Sequence, residues 1–184
     1  MRDVSRPRLV GDLLDGKPEL LTTSDGGAHW MLPQSNTIPT AKNGEGSPAS
    51  GTCIATYGEE KRRKENWLEW FVTENASPVF HTADSGKTWT ASETPLVTGL
   101  NQDVFSIAIV DADRLVIVGG DYDHPQLVKP NSAYSDDGGK TRKESNHRPA
   151  GYRWGVAVVP DTPGPTVFAV GPTGTDYSID RRKN

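Results

Sequence analysis

The chain has 184 residues, a formal net charge of -4 and hydrophobic residues at 34% of its positions. The slight acidic excess argues against a general nucleic-acid binder, which normally carries a basic surplus. The single Cys53 excludes an intramolecular disulfide, and no apolar run reaches the length of about 18 residues that predicts a membrane-spanning helix. The 19 Gly and 14 Pro favour a chain with many turns over a helical bundle.

In chain order, the predicted elements are short strands. The first two, at about 8–14 and 19–23, come before a turn at 23–30. Alternation of apolar and polar residues then recurs in GTCIATYG, NWLEWFVT, VFSIAIVD, RLVIVGG, RWGVAVVP and TVFAVG. No window combines a helical period with capping residues, so the sequence predicts an all-β fold.

A turn pattern recurs among these strands. TSDGGAHW, TADSGKTW and SDDGGKTR fit the frame Ser/Thr-x-Asp-x-Gly-x-x-Trp, with Arg142 in place of the last Trp, and SIDRRKN fits the first half of the frame. The residues assigned to the frame are Thr23, Asp25, Gly27 and Trp30; Thr82, Asp84, Gly86 and Trp89; Ser135, Asp137 and Gly139; and Ser178 and Asp180. A repeat of roughly 40 to 50 residues is typical of propellers and solenoids.

The chemistry of the frame explains its residue types. An Asp carboxylate accepts hydrogen bonds from the backbone amides of a turn, and Gly adopts a positive φ at little cost. The hydroxyl ties the end of a strand, and the Trp covers apolar surface. These roles predict a structural hairpin cap rather than a catalytic carboxylate.

Each interval between the turns holds about four strands, the content of one propeller blade. The predicted blades cover 1–35 (incomplete), 50–95, 102–146 and 151–184 (incomplete), about three and a half in all, whereas a ring closes with about four to eight. The chain is therefore expected to be a piece of a longer propeller. The alternative is that it associates with further copies of itself to close the ring.

These turns resemble the Asp-box, or BNR, repeat of sialidases and sortilin-type receptors. IVDADRLVIVGGDY, SAYSDDGGKT and AVGPTGTDYSID resemble bacterial propellers similar to the photosystem II stability and assembly factor. The resemblance implies a β-propeller of four-stranded antiparallel blades, and it makes a secreted or periplasmic location plausible. The first residues, MRDVSRPRLVGDLLDG, lack the apolar stretch of a signal peptide, and taken literally they predict a cytoplasmic location.

If the repeated turns join the third and fourth strands of each blade, the opposite rim collects SGTC, GGDYDHP, GYRW and GPTGTDY. The candidate ligand-binding residues on that rim are Asp121, Tyr122, His124, Tyr152, Arg153 and Asp176. Such residues suit polar or peptide ligands, and Arg153 beside Tyr152 suits a carboxylate. The alternative interpretation is that Gly and Asp only form tight turns there.

The sequence favours a non-enzymatic platform that binds a protein or a polar or carbohydrate ligand. The alternative is a sialidase-like glycosidase whose catalytic residues lie mostly outside the chain, since the Phe/Tyr-Arg-Ile-Pro motif is absent. The glycosidase hypothesis would be favoured if Asp121, Asp176 or Arg153 faced one pocket. A truncated reading frame without independent function is a third possibility.

No cofactor and no metal are predicted. The Asp121-x-Asp123-His124 cluster lacks the ligand set of a calcium loop or a zinc site, and no dinucleotide fingerprint is present. Cys53 lies in an apolar run and is expected to be a small buried hydrophobe.

Overall fold

A computed structural model describes most of the chain. The described residues are 8–32, 37–40, 50–58, 67–73, 78–99, 101–160, 162 and 164–179. Within these ranges the chain forms thirteen strands and no helix, so the all-β prediction is confirmed. The same ranges contain no helix long and apolar enough to span a bilayer.

Four antiparallel sheets follow one another along the chain. The first sheet pairs β1 (Arg8–Leu14) with β2 (Lys17–Thr22), and Met31 returns to bridge Thr22. The second sheet has β3 (Ile54–Tyr57), β4 (Leu68–Val72), β5 (Val79–Thr82) and β6 (Thr90–Ser92). The third sheet has β7 (Gln102–Ile109), β8 (Leu115–Asp121), β9 (Ser132–Ser135) and β10 (Lys143–Glu144), and the fourth has β11 (Gly155–Val159), β12 (Thr166–Gly171) and β13 (Gly174–Ser178). Each sheet pairs its strands in sequence order, as an up-and-down meander.

The strand ends differ slightly from those predicted. The strand expected at 104–110 is β7, which begins at Gln102, and the strand expected at 114–119 is β8, which continues to Asp121. Gln102 and Asp121 are cross-strand partners. Both strands therefore continue together for about two residues beyond the apolar run, because polar side chains can end a ladder when they pair with each other.

The second sheet is buried on both of its faces. On one face, Trp70 and Val72 belong to the same apolar cluster as Ile117 of the third sheet. On the other face, Phe71 and Phe80 stack with ring centroids 4.5 Å apart and share a cluster with Leu20 of the first sheet. Because alternate side chains of a strand point to opposite faces, the apolar run from Trp70 to Val72 lets one sheet pack against two neighbours.

The outer faces of the first and last sheets remain open. On the first sheet and the segment after it, Leu9, Leu14 and Trp30 are exposed. On the fourth sheet, Val156 and Val167 pack against the third sheet, whereas Phe168, Val170 and Tyr177 are exposed on the opposite face. Two apolar faces, one at each end of the stack, therefore have no covering sheet among the described residues.

Hydrogen bonds tie the first strands of successive sheets together. Ser50 donates to the carbonyl of Phe105 over 2.6 Å, and the hydroxyls of Thr52 and Ser106 lie 2.7 Å apart. The Ser106 hydroxyl also accepts the amide of Val156 over 3.0 Å. These bonds join β7 to the segment leading into β3 and to β11, at the side of the stack where the sheets are closest.

Cys53 lies beside these bonds and is 4% exposed. Its side chain packs in the cluster that contains Val104 and Ile107, and burial raises the pKa of its thiol. The residue is a small buried side chain of the core, as its position in the apolar run indicates.

Replacing a buried aromatic ring between sheets should cost much more than replacing an exposed one. We expect Phe80→Ala to lower the free energy of unfolding by about 3–5 kcal/mol, because Phe80 is fully buried. The matched variant Phe168→Ala removes a ring that is 40% exposed and should cost about 1 kcal/mol or less. Urea unfolding followed by tryptophan fluorescence measures both, and equal losses would contradict the packing described.

Candidate functional site

The sheet topology separates two rims. The repeated turns are named here box 1 (23–30), box 2 (82–89) and box 3 (135–142). Boxes 2 and 3 connect the third strand of a sheet to the fourth, and box 1 follows β2, the second strand of its sheet. Box 3 contacts the β7–β8 turn, where the amide of Gly138 donates to the carbonyl of Asp113 over 2.8 Å. These turns form the box rim. The segments that enter each first strand and the loops that join second to third strands lie at the other end, which we call the loop rim.

Each box is a closed hydrogen-bonded turn, and box 2 illustrates it. The Thr82 hydroxyl donates to Asp84 over 2.8 Å and accepts the amide of Gly86 over 2.9 Å. Asp84 in turn accepts the amide of Thr88 over 2.8 Å and its hydroxyl over 2.6 Å. Gly86 has a φ of 81°, a conformation that a side chain would strain. The turn therefore uses its hydroxyl, carboxylate and glycine for its own structure.

The other described boxes repeat this pattern. The equivalent bonds join Thr23 to Asp25 and Gly27, Asp25 to His29, Ser135 to Asp137 and Gly139, and Asp137 to Thr141. In the fourth copy, Ser178 ends β13, and Asp180 lies outside the described residues. The network is the same whether the box ends in Trp or in Arg.

Hydrogen bonding lowers the pKa of the box carboxylates. For Asp25, bonds from the His29 amide and then from Thr23 lower the pKa to about 2, against an ordinary value of 3.8. For Asp84, burial raises the pKa, but the bonds from Thr88, Thr82 and Lys87 outweigh it and hold the pKa at about 2. Such groups remain anionic at neutral pH and cannot act as proton donors there.

The eighth residue of boxes 2 and 3 reaches the sheet that precedes the box. Trp89 of box 2 is 6% exposed and meets Phe71 edge-on, with ring centroids 5.1 Å apart. It lies in the cluster that includes Leu20 of the preceding sheet. Trp30 of box 1 has no preceding sheet in the described part of the chain and is 36% exposed. The eighth residue thus seals the junction with the sheet before it.

In box 3 this position is occupied by Arg142, which replaces packing with hydrogen bonds. One guanidinium nitrogen donates to the carbonyls of Ser92 and Glu93 over 3.1 and 2.7 Å. The other donates to the Ser92 hydroxyl over 2.8 Å and to the carbonyl of Gly139 over 2.6 Å. Burial lowers the pKa of Arg142 to about 10, so the side chain remains charged at neutral pH. It links the third sheet to the end of β6 in the second.

On the loop rim, Asp121 organises the turn that follows β8. Its carboxylate accepts the amides of Asp123 and His124 over 3.1 and 2.9 Å, and the side chain of Gln102 over 2.9 Å. Burial raises the pKa of Asp121, but the bonds from His124 and Gln102 bring it below its ordinary value. Within the described ranges, His, Cys, Asp and Glu side chains form no group of three or more that could hold a metal ion.

A row of four aromatic rings crosses the loop rim. Phe105 and Tyr152 form its buried centre, with ring centroids 4.8 Å apart. Tyr122 meets Phe105 edge-on at 6.1 Å, and Trp154 meets Tyr152 at 6.4 Å. The outer two rings, Tyr122 and Trp154, are 46% and 52% exposed. The row therefore presents two rings to solvent on a rigid aromatic base.

Polar side chains surround the Tyr122 end of this row. The Tyr122 hydroxyl donates to the Asn101 side chain over 2.6 Å, and the Asn101 amide donates to Asp123. The His124 side chain is exposed beside Asp121. These bonds fix the orientation of the Tyr122 ring, which lowers the entropy lost when a ligand packs on it.

Arg153 is 1% exposed and is bonded within its own chain. Its guanidinium donates to Asp176 over 2.6 Å, to the carbonyl of Tyr152 over 2.8 Å and to the Thr173 hydroxyl over 2.7 Å. A Cβ on Gly171 would lie 2.2 Å from the carbonyl of Tyr152, so glycine permits this close approach. Arg153 therefore holds the β12–β13 hairpin against the segment that enters β11.

The structure brings only some of the candidate rim residues together. Tyr122 and His124 flank Asp121 at one end, Tyr152 lies beneath them in the aromatic row, and Arg153 pairs with Asp176 under the β12–β13 hairpin. The candidate residues did not include Phe105, Asn101 or Trp154, although Trp154 ends the GYRW segment expected on this rim. The Trp154 ring was detectable as an aromatic residue directly before a first strand. Phe105 was not, because it lies where the β7–β8 register shifts.

A meander of sheets joined at their first strands, with hydrogen-bonded turns on one rim, defines a partial β-propeller. The predicted fold class is thereby confirmed. No family model and no curated protein sequence matches the chain.

Two solved structures are similar to the chain, and the first of them has the same fold. A structure of YCF48 bound to a D1 peptide matches 98% of this chain with a TM-score of 0.60 and 17% identity. A K499G mutant of the NanB sialidase from Streptococcus pneumoniae matches 85% of the chain with a TM-score of 0.46 and 11% identity. The chain spans 50% and 24% of the lengths of these two proteins. The expected resemblance to assembly-factor-like propellers is confirmed at the level of the fold.

Acid should weaken the boxes. Because the folded-state pKa of Asp84 is depressed to about 2, its contribution is complete above the unfolded pKa of about 4 and disappears as the pH falls through 2. We expect Asp84→Asn to lower the urea midpoint at about pH 7, and the gap to wild type to narrow by about pH 2.5. Asp12→Asn, an exposed carboxylate on β1, is the control and should follow wild type at every pH.

Loss of Arg142 should weaken the junction between the second and third sheets. We expect Arg142→Ala to cost about 2 kcal/mol or more in urea unfolding, because it leaves the carbonyls of Ser92, Glu93 and Gly139 without their donors. Arg142→Lys keeps the positive charge but not the planar guanidinium with its several donors, and it should lower the free energy of unfolding by less. An Arg142→Ala variant as stable as wild type would show that water replaces these bonds without cost.

Proposed function

We propose that the chain is a non-enzymatic binding platform that holds a segment of another protein against the loop rim. The observation that carries this proposal is the aromatic row, whose exposed ends, Tyr122 and Trp154, rest on the buried rings of Phe105 and Tyr152. Rigid, partly exposed aromatic side chains are the anchors that dominate protein interfaces. The peptide bound to YCF48 supports the same kind of use for this fold.

The polar groups of the rim suggest what the bound segment supplies. Asp123 carries negative charge beside Tyr122, and the neighbouring Asn101 and His124 offer further hydrogen-bonding atoms. An extended segment with apolar or aromatic side chains and exposed donors would match this surface. Its backbone amides or basic side chains would face the Asp123 carboxylate.

Catalysis is less well supported. Asp121 is bonded to the turn amides and Gln102, and Asp176 is bonded to Arg153. Arg153 and Asp176 do meet, and Asp176 lines a cleft between the third and fourth sheets, but Asp121 does not line that cleft. Glycoside hydrolysis needs two carboxyl groups on either side of the scissile bond, and the arrangement of these two groups favours a structural role.

Self-association that closes the ring stays a prediction. The surfaces it would use are the exposed apolar faces of the two end sheets, represented by Leu9 and Leu14 on the first and Phe168 and Val170 on the fourth.

A peptide array tests the platform. The labelled chain is applied to overlapping peptides from diverse proteins, and the binding peptides are then titrated in solution. We expect Tyr122→Ala and Trp154→Ala each to weaken binding by about tenfold or more. Tyr57→Ala is the matched control, since Tyr57 is similarly exposed, at 41%, but lies at the end of β3.

Two results would overturn the proposal. The first is binding that neither rim variant affects. The second is turnover of a fluorogenic glycoside by the wild-type chain that Asp176→Asn abolishes, since this would favour the glycosidase alternative.

A further inference from the structure

The junction between the second and third sheets contains a histidine that takes no part in the loop rim. His81 lies on β5 and is half-buried. Its ring stacks on that of Trp70, its cross-strand partner on β4, with ring centroids 4.8 Å apart and planes inclined by 20°. Because Trp70 belongs to the same cluster as Ile117, the imidazole lies on the face of the second sheet that meets the third.

The matching position of the third sheet also holds an aromatic ring. Tyr134 stands one residue before box 3, as His81 stands one residue before box 2. It pairs with Val116 on the neighbouring strand, and it packs against the cluster between the third and fourth sheets. A ring at this position therefore serves packing between sheets. Of the two rings, only the imidazole can gain a proton near neutral pH.

The surroundings of His81 do not suit a protonated ring. Its Nε2 atom is buried and has no hydrogen-bond partner in the described part of the chain. A neutral imidazole carries one N–H donor, whereas the imidazolium carries a donor on both nitrogens. Protonation therefore places a charged N–H group at Nε2 where no acceptor stands, and a buried charged donor without a partner is costly.

The charges that act on the ring are positive. Burial lowers the pKa of His81, and the cationic side chains of Arg142 and Lys140 in box 3 lower it further. Arg142 is held in the junction by its bonds to the chain at Ser92 and Glu93. An imidazolium at His81 would thus meet two like charges from the opposite side of the junction.

The carboxylates near the ring are bonded elsewhere. Asp137 of box 3 is bonded within its own turn, and its charge acts on Arg142. Glu69 precedes Trp70 on β4 and therefore points to the opposite face of the sheet, where it pairs with Arg8 over 2.6 Å. Neither carboxylate offers an oxygen to His81.

Hydrogen bonds beside the ring close the outer half of this junction. Nε1 of Trp70, the ring that His81 stacks on, donates to the carbonyl of Gly138 over 2.9 Å. The Ser92 hydroxyl donates to the carbonyl of Gly139 over 3.2 Å. Both acceptors belong to box 3. A charge on His81 would therefore act directly where box 3 is attached to the second sheet.

We propose that His81 is a pH sensor for this junction, and that protonation of its ring as the pH falls below neutrality loosens the attachment of box 3 to the second sheet. The imidazolium repels Arg142 and Lys140, and movement of box 3 away from the ring relieves this repulsion and opens Nε2 to water. The device works well above the pH range of the boxes, since the pKa of a box carboxylate such as Asp84 is about 2.

The direction of the pKa shift fixes the sign of the effect. The folded-state pKa of His81 lies below its ordinary value of 6.5, so the unfolded chain binds more protons between these two values. The neutral ring's contribution to stability is complete above about pH 7.5 and falls as the pH drops through about 6.5 toward the folded-state pKa.

Thermal unfolding at about pH 7.5 and about pH 5.5 tests the sensor. His81→Tyr introduces the residue of the matching position 134, and His81→Gln is a second variant that does not titrate. We expect the fall in Tm between the two pH values to be smaller by about 3 °C or more in both variants than in the wild-type chain. His147→Gln removes an exposed histidine and should behave as wild type. An equal fall in wild type and in both His81 variants would overturn the proposal.

Hydrogen exchange of the Trp70 indole locates the effect, because this group donates across the junction. After correction for the intrinsic exchange rate, we expect its protection in the wild-type chain to drop by about tenfold from about pH 7.5 to about pH 5.5. His81→Tyr should keep its protection, whereas a purely structural role of His81 would change protection equally at both pH values. Constant protection in the wild-type chain would overturn the proposal. So would an NMR titration in which the His81 ring gains its proton at or above its ordinary pKa.

Discussion

Each central sheet buries apolar side chains on both of its faces, and this double burial fixes how the sheets can follow one another. Trp70 and Phe71 are adjacent in sequence, yet they belong to two different junctions. A sheet of this kind is stable only between two neighbours, because either face alone would leave large apolar surface in water. The same rule bears on the outer faces of the first and fourth sheets, whose exposed apolar side chains have no covering sheet among the described residues.

The boxes serve this stacking. Their hydroxyl, carboxylate and amide groups satisfy one another, so the turn is rigid whatever follows it. This leaves the eighth residue free to vary, and it is this residue that reaches the preceding sheet. Trp89 fills its junction with an aromatic ring, whereas Arg142 spans the next one with a hydrogen-bonded guanidinium. One turn design thus supports an apolar junction and a charged one.

The sequence was sufficient for the strands and the turns, since alternation over four to eight residues and the spacing of Asp, Gly and hydroxyl residues are local signals. The sequence was insufficient to predict which side chains come together on the loop rim. Arg153 and Asp176 are 23 residues apart, and only the packing of a hairpin against a neighbouring loop pairs them. Phe105 lies at the register shift between β7 and β8. The pattern of residue types does not predict this shift, and so it does not predict that Phe105 joins the aromatic row.

The buried thiol of Cys53 has a consequence for how the molecule opens. It is the single Cys of the chain and lies where the first strands of the second and third sheets meet. Because burial both shields it and raises its pKa, a thiol reagent reacts only when this junction separates. The rate of modification under native conditions therefore reports the free energy of one local opening, independently of fraying at the outer sheets. The modification rate of Cys53 is therefore a built-in measure of how often the first strands of the second and third sheets separate.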